Sequence, residues 1–499
     1  MPPLPKSLPL VCVALGFPSV GELAKAADRE YRDGSNFLEF RLDYLPDPAQ
    51  GIELIRKFRR NKPESFILAT CRHKHASGKF NGNIEKQLAI LRSSAQAGAT
   101  LVDVEIETAE KAKQAVASLH ENTPLVVSYH NFQNTPAPDK ILHRLRKVAA
   151  DVYKIATTAR KPTDNLRLAK LLSENHSVPC VVLAMSEAGT ASRILGPCLG
   201  SAFTYAAAAG TSGTAPGQIC ARTLRTLYRP EKLTKRTRIY GIIADPVSHT
   251  KSPFIHNRGF QARRADAVYI PFLVCPGNLP DWMRFATEFP VCGFSVTLPH
   301  KRNILRYLDH VEPLARRIGA VNTVWRKAGK WRGTNTDVDG VLNPLRERLR
   351  LTHASVLIAG YGGAARAAAV ALHDAGAHVT LTGRRIAEAQ ALAQKVKGQA
   401  ITLKEAEARN FDVLVHATPV GMAPSVEECL FRDAIPAKVV FDMVYNPHET
   451  QLLKAAKKQG CVIIPGAEML LEQAIRQFEI WTGESAPREV MRGAIEQNI

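Results

Sequence analysis

Through the first 230 residues, short runs of β-branched and aromatic residues alternate with stretches whose apolar positions recur at helical spacing. The apolar runs cover residues 10–15, 37–42, 66–71, 101–106, 125–129, 152–157, 180–185 and 202–206, and helical patterns such as 84–91 and 141–148 lie between them. About eight strand–helix units in this length predict a (β/α)8 barrel. The charged connector Arg229-Pro-Glu-Lys-Leu-Thr-Lys-Arg-Thr-Arg238 follows, short and polar, and reads as a domain boundary.

Beyond it the pattern changes. Ile239-Tyr-Gly-Ile-Ile-Ala-Asp245 predicts a strand that runs into a hydroxyl-rich loop, and Val291-Cys-Gly-Phe-Ser-Val-Thr297 predicts a second strand leading to His300-Lys301. Gly319-Ala-Val-Asn-Thr323 and a hairpin pattern ending in Gly333-Thr-Asn-Thr-Asp337 follow. Next comes Val356-Leu-Ile-Ala-Gly-Tyr-Gly-Gly-Ala-Ala-Arg366, an apolar run, a glycine-rich turn and an Ala-rich helix, with a second apolar run reaching Gly383-Arg-Arg385. This strand-loop-helix-strand unit predicts the first half of a dinucleotide-binding Rossmann fold. Gly360 permits the tight turn, Gly362 the approach of backbone to a pyrophosphate, and Ala365 the close packing of helix on strand. The fold class predicted is α/β: a barrel at 1–230, a linker at 231–237, a substrate-binding domain at 238–340, a Rossmann domain at 341–465, and C-terminal helices at 466–499 that return to the substrate-binding domain.

Composition narrows the function classes. The chain has 499 residues, 45% of them hydrophobic and 22% charged, and no window is long and apolar enough to span a membrane. The run 8–17 contains Pro9 and lacks a cleavage site, so it reads as a first strand of a cytoplasmic protein and not as a signal peptide. Nine cysteines without a C-x-x-C pair suggest neither a disulfide framework nor a zinc site, and no metal is expected. The net charge of +20 is dispersed among acidic residues, which fits anionic small substrates better than nucleic acid.

The candidate chemistry gathers at predicted strand ends. In the barrel, Glu39 and Arg41 close the second run, Arg72 follows the third, Glu105 ends the fourth, His130 ends the fifth and Lys154 lies in the sixth. A lysine surrounded by apolar strand residues favours its free amine, which can attack a ketone and form a Schiff base. The imine acidifies the adjacent carbon; His130 is expected to move the proton, and Glu105 to hold the imidazole. At Glu39-Phe-Arg-Leu-Asp43, Val127-Ser-Tyr-His130, Tyr153-Lys-Ile-Ala156, Met185 to Arg193 and Thr214-Ala-Pro-Gly-Gln218 the chain resembles type I 3-dehydroquinate dehydratase. The resemblance implies that Lys154 and His130 are catalytic, that Arg193 pairs with the substrate carboxylate, and that Glu39, Arg41, Arg72, Thr214 and Gln218 bind hydroxyls and lid residues. Thr214 stands where bacterial relatives usually have serine.

In the second half, Lys301 and Asp337 read as a proton donor and its orienting carboxylate for reduction of a carbonyl. This half resembles shikimate dehydrogenase. The resemblance makes Lys301 and Asp337 catalytic and assigns substrate contacts to Thr250, Ser252, Thr297, Asn322, Tyr445 and Gln473. It assigns the cofactor to Gly360, Gly362, Gly363, Ala364, Arg384 and Arg385, with Thr418 and Met422 on the nicotinamide side. Two guanidiniums where NAD enzymes carry a carboxylate point to NADP(H), the alternative being a solvated arginine pair. Two departures stand out: Thr250-Lys-Ser252 replaces the usual Ser-x-Ser, and Gly383-Arg-Arg385 the usual Asn-Arg-Thr.

The order of the halves resembles the plant-type bifunctional family, implying two consecutive steps from 3-dehydroquinate through 3-dehydroshikimate to shikimate. With no transit peptide read at the start, a bacterial cytoplasm is expected. Two alternatives stand beside it: a second half that works as a quinate dehydrogenase, and a quinate-sensing regulator without turnover. Both catalytic pairs are retained, which argues against the regulator.

Overall fold

The structure is a computed structural model of the chain and describes residues 4–5, 7–174, 178–248 and 250–497. The chain folds into two compact units, Met1–Thr237 with Ile270–Pro290, and Arg238–Tyr269 with Val291–Ile499.

In the first unit, strands β1 (Val11–Leu15), β2 (Phe37–Arg41), β3 (Phe66–Thr70), β4 (Leu101–Glu105), β5 (Leu125–His130), β6 (Val152–Thr158), β7 (Cys180–Met185) and β8 (Thr204–Ala207) form one sheet in the order β7-β6-β5-β4-β3-β2-β1-β8. Neighbours pair in parallel, and a parallel bridge between Cys180 and Ser201 joins the two ends, so the sheet nearly closes. The eight strands fall within two residues of the predicted runs.

Why the interior can hold chemistry follows from the two-residue period of a strand. One buried cluster takes Cys12, Phe37, Leu68, Leu101, Val126, Val152, Val181 and Phe203, an apolar layer drawn from or beside every strand. Two residues further along, on the same face, stand Glu39, Thr70, Asp103, Ser128, Lys154 and Tyr205, all buried. An apolar plug thus floors a polar layer.

The second unit holds two further sheets. Strands β9 (Arg238–Ala244), β10 (Ala267–Leu273), β11 (Val291–Val296), β12 (His310–Val311), β13 (Thr323–Lys327) and β14 (Lys330–Thr334) lie in the order β10-β9-β11-β13-β14-β12, and the division between units runs through β10. Strands β15 (Ser355–Ala359), β16 (His378–Thr382), β17 (Gln399–Ala400), β18 (Phe411–His416), β19 (Ala437–Asp442) and β20 (Val462–Ile464) form a parallel sheet in the order β17-β16-β15-β18-β19-β20. That is the doubly wound order of a Rossmann domain. Alternation along β15 sends Val356 and Ile358 into one core cluster and Leu357 and Ala359 into another, as a sheet covered on both faces requires.

The helix Gly466–Thr482 packs on the sheet of β9, β11 and β13: Trp481 Nε1 donates to Val324 O at 3.1 Å and Tyr240 Oη to Trp481 O at 3.0 Å. Beside it the helix Ser252–Ala262 buries His256 against the rings of Tyr269 and Trp481. Burial pushes His256 down to about 3, opposed only by a side-chain contact with Gln477. An unfolded histidine takes its proton near pH 6.5 and the folded one does not until far lower, so this site's stability is complete above about pH 6.5 and declines as pH falls toward 3. The loss approaches ~1.4 kcal/mol per pH unit in that window. Thermal unfolding of the second unit is therefore expected to accelerate between pH 6.5 and 4.5 in the native chain and less steeply in His256→Phe; equal slopes would refute the assignment.

Candidate active sites

Lys154, inside β6, is 4% exposed. Its Nζ lies 3.0 Å from Asp103 Oδ2, 2.8 Å from Tyr205 Oη and 3.7 Å from Glu39 Oε1. Asp103 also accepts from Ser128 Oγ at 2.6 Å and has Arg72 Nη2 at 3.5 Å. Burial alone would raise the Asp103 carboxyl, but Lys154, Arg72 and the Ser128 hydroxyl hold it below the usual carboxylate range. Glu39 accepts from Thr70 Oγ1 at 2.8 Å. Arg41 is locked bidentate on Asp43 at 2.9 and 2.8 Å, both buried, and stacks over Tyr44.

Ser128 pairs with Lys154 in the β5–β6 register, which puts His130 two residues along the same face. Burial, Arg72, Lys154 and Arg41 together hold the imidazole well below the usual histidine range, so it is neutral. Its Nδ1 is enclosed without a hydrogen-bond partner among the described residues. The expectation that Glu105 holds this imidazole is not met: Glu105 Oε1 accepts from Gln87 Nε2 at 2.8 Å, Thr108 Oγ1 at 3.0 Å and His73 N at 3.2 Å. Glu105 Oε1 thus braces the loop after β3 and the helix Ile84–Gln96, while Oε2 is buried with no hydrogen-bond partner among the described residues.

Arg193 is 1% exposed, and its one hydrogen bond among the described residues runs from Nη2 to Pro216 O at 3.3 Å. Nε and Nη1 have no partner among those residues, and burial pushes the guanidinium down to about 10. A buried cation with two orphaned donors is expensive unless an anion completes it. The segment above it is self-braced, Gln218 Oε1 accepting from Thr214 N at 2.7 Å.

In the second unit, Lys301 Nζ donates to Asp337 Oδ2 at 2.6 Å, and Asn322 Nδ2 donates to Asp337 Oδ1 at 2.8 Å. Asn322 Oδ1 in turn accepts from Thr336 N at 2.8 Å and Thr323 Oγ1 at 2.7 Å. The carboxylate is thus fixed at both oxygens, leaving Lys301, 16% exposed at its side chain, as the donor that faces outward. Thr250 Oγ1 accepts from Ser252 N at 3.3 Å. Thr297 follows β11 on a half-buried loop, Tyr445 is half-buried with its phenol raised by burial, and Gln473 donates to Leu470 O at 2.9 Å.

The cofactor loop can be tested on its own geometry. Gly360 has φ +127°, and a Cβ there would meet Ala417 O at 2.7 Å, so only glycine fits. A Cβ on Gly362 would meet nothing, leaving the backbone open to a ligand, and Gly363 sits against Lys301 Cδ. The helix Gly363–Asp374, with Ala364 in its first turn, has no acidic residue there to compete with phosphate. Arg384 and Arg385 follow β16, and Arg385 Nε donates to Tyr361 Oη at 3.1 Å. This set fits a dinucleotide phosphate group.

Sequence reasoning missed several members. Asp103 and Glu105 share a face of β4, and the two-residue period could have marked both. Tyr205 lay inside an apolar run. Gln477, one turn beyond Gln473, bonds Ser295 Oγ at 2.9 Å and Thr323 Oγ1 at 3.1 Å. His416 and Asp442, opposed in the β18–β19 register, are joined at 2.8 Å, and His416 Nε2 reaches Thr418 Oγ1 at 2.6 Å, fixing the loop that carries Thr418 and the exposed Met422.

Comparison with known proteins matches these halves in order. Residues 11–235 match the type I 3-dehydroquinase family, 242–324 the shikimate dehydrogenase substrate binding domain, 345–445 the shikimate / quinate 5-dehydrogenase family and 466–496 the shikimate 5'-dehydrogenase C-terminal domain. A crystal structure of a shikimate dehydrogenase in complex with NADP+ is 36% identical and covers 54% of this chain and 97% of its own, with a TM-score of 0.51. The shikimate biosynthesis protein AroDE of Chlamydia pneumoniae is 31% identical over 385 residues, 76% of this chain and 78% of that protein. No helix among the described residues is long and apolar enough to cross a membrane. The chloroplastic bifunctional 3-dehydroquinate dehydratase/shikimate dehydrogenase of Arabidopsis thaliana is 34% identical over 515 residues, 97% of this chain and 84% of that protein, and the chain belongs to this bifunctional family.

Proposed function

We propose that the chain dehydrates 3-dehydroquinate to 3-dehydroshikimate in the barrel and reduces that product to shikimate with NADPH in the second half. The observation that carries the first step is Lys154, a buried amine at the centre of a polar layer, with the orphaned guanidinium of Arg193 in the same barrel. Lys154 Nζ bonds the ketone carbon and water leaves as the C=N bond forms; electrons then flow toward the imine as neutral His130 takes a proton from the adjacent carbon. His130 returns the proton to the departing hydroxyl, and water added to the C=N carbon then releases 3-dehydroshikimate as the ketone and restores the Lys154 amine. Arg193 pairs with the substrate carboxylate, while Glu39, Arg41, Arg72, Thr214 and Gln218 line the rest. Glu105 acts through the loop it braces.

In the second half, NADPH supplies the hydride. Lys301 donates the proton to the carbonyl oxygen, and Asp337 and Asn322 keep its ammonium aimed there. Thr250 and Ser252 take the carboxylate, with Thr297, Asn322, Tyr445 and Gln473 around the ring hydroxyls. Gly360, Gly362, Gly363 and Ala364 hold the pyrophosphate, Arg384 and Arg385 the 2′-phosphate, and Thr418 and Met422 the nicotinamide side. Replacing Arg384 and Arg385 together with serine is expected to raise the KM for NADPH about tenfold and leave that for NADH unchanged; a parallel rise in both would refute the 2′-phosphate contact.

The domain limits proposed are those of the hydrophobic pattern, 1–230, 231–237, 238–340, 341–465 and 466–499; the family matches support them. Small anionic substrates are the ligands this reading requires, with no nucleic acid or membrane partner. Nine free cysteines, Cys12, Cys71 and Cys180 among them buried, support a reducing compartment such as the cytoplasm. Product analysis with 3-dehydroquinate and NADPH tests the whole reading. Shikimate is expected; quinate as the main product would mean the second half reduces 3-dehydroquinate directly, and absence of turnover would overturn both activities.

A further inference from the structure

Two side chains that hydrogen-bond the Lys154 amine, Asp103 and Tyr205, have no role in the two-step reading. Tyr205, on β8, is 3% exposed, and its hydroxyl stands 2.8 Å from Lys154 Nζ while its ring centroid lies 4.0 Å from the same atom. No other hydrogen bond is made by that hydroxyl among the described residues. Burial beside Glu39, Cys12 and Asp103 raises the phenol well above its ordinary range, so it stays protonated and uncharged.

An sp3 amine nitrogen has one bond to carbon and three further directions. Here Asp103 Oδ2 takes one at 3.0 Å and Tyr205 Oη a second at 2.8 Å, while Glu39 at 3.7 Å is beyond hydrogen-bond reach. In the deprotonated form that attacks the ketone, two fixed N–H directions leave a single one for the lone pair. We propose that Tyr205 is a positioning residue of the dehydratase: by accepting from Nζ opposite Asp103, its hydroxyl aims the free amine at the substrate ketone. The inference rests on the Schiff-base reading above. In that step Nζ bonds the carbonyl carbon, the nitrogen gives up its protons, the oxygen takes them up, and loss of water leaves C=N; Tyr205 gains and loses nothing.

Tyr205→Phe removes the hydroxyl and keeps the ring in place. Borohydride trapping of the imine, timed after mixing the full-length chain with 3-dehydroquinate, reads the step directly, and NADPH-dependent reduction of added 3-dehydroshikimate reports on the rest of the molecule. Misaimed attack is expected to slow imine formation and kcat about ten- to a hundredfold, with KM and the dehydrogenase rate unchanged. Imine formation as fast as in the native chain would overturn the role of Tyr205, and so would a change confined to KM. If the native chain is not trapped at all, the Schiff-base reading itself fails. Asp103→Asn, which keeps an acceptor oxygen but loses the charge, is expected to slow trapping and to make the further loss on Tyr205→Phe smaller than in the native chain; additivity of the two changes would contradict a shared role in aiming Nζ.

Discussion

Replacing Lys154 with alanine is expected to lower dehydration of 3-dehydroquinate by on the order of 10⁴-fold or more, the scale seen when a covalent nucleophile is removed. The prediction follows from what the barrel leaves behind. Arg193, Arg72 and His130 would still bind the substrate, but none of them can form the imine that acidifies the carbon. KM should therefore move little while kcat collapses. Truncation also strips Asp103 of its principal cation, leaving a buried carboxylate beside Arg72 alone, so some loss of barrel stability is expected as well. Reduction of added 3-dehydroshikimate by the same protein should proceed at the native rate, which separates loss of chemistry from loss of fold. A variant that dehydrates at a rate within tenfold of native would refute the Schiff base.

The second large effect is expected at Lys301. Its ammonium is held by an Asp337 carboxylate that Asn322 fixes from the other side, so its direction is set before any ligand arrives. Lys301→Ala removes the proton donor to the developing alkoxide and is expected to reduce kcat for 3-dehydroshikimate about 10²- to 10⁴-fold, with the KM for NADPH nearly unchanged. Asp337→Asn should be milder, since the amide oxygen can still accept from Lys301. Dehydration of 3-dehydroquinate is expected to be unaffected in both. A loss in Lys301→Ala that appears only as a raised KM would mean that the lysine binds and does not donate.

Much of this was legible in the chain because strands carry their burial in the sequence. The barrel runs, the glycine turn at Gly360 and the strand ends bearing Arg41, Arg72, His130 and Lys154 all follow from local pattern. Lys301 and Asp337 were recognisable from the motifs that carry them, although only the fold brings them within 2.6 Å across 36 residues. What the pattern could not show was which of two like groups does the work. On β4, Asp103 and Glu105 face the same way, and the one nearer the strand end looked functional. In the structure Gln87, on the helix Ile84–Gln96, donates to Glu105 Oε1, while Asp103 lies 3.0 Å from Lys154 Nζ. Tyr205 was hidden for a different reason: an aromatic residue in a strand has a sufficient explanation in packing until its hydroxyl is seen beside an amine. His416 and Asp442 are joined by strand pairing alone, which sequence separation conceals.

The central claim is that two separate sites in one chain act in series. Mixing the Lys154→Ala and Lys301→Ala proteins with 3-dehydroquinate and NADPH tests it most directly. Each protein alone should form shikimate at least about a hundredfold more slowly than the native chain, while the mixture should form it far faster than either, with 3-dehydroshikimate released by one and consumed by the other. Shikimate formed from 3-dehydroquinate at the native rate by the Lys154→Ala protein on its own would contradict the account.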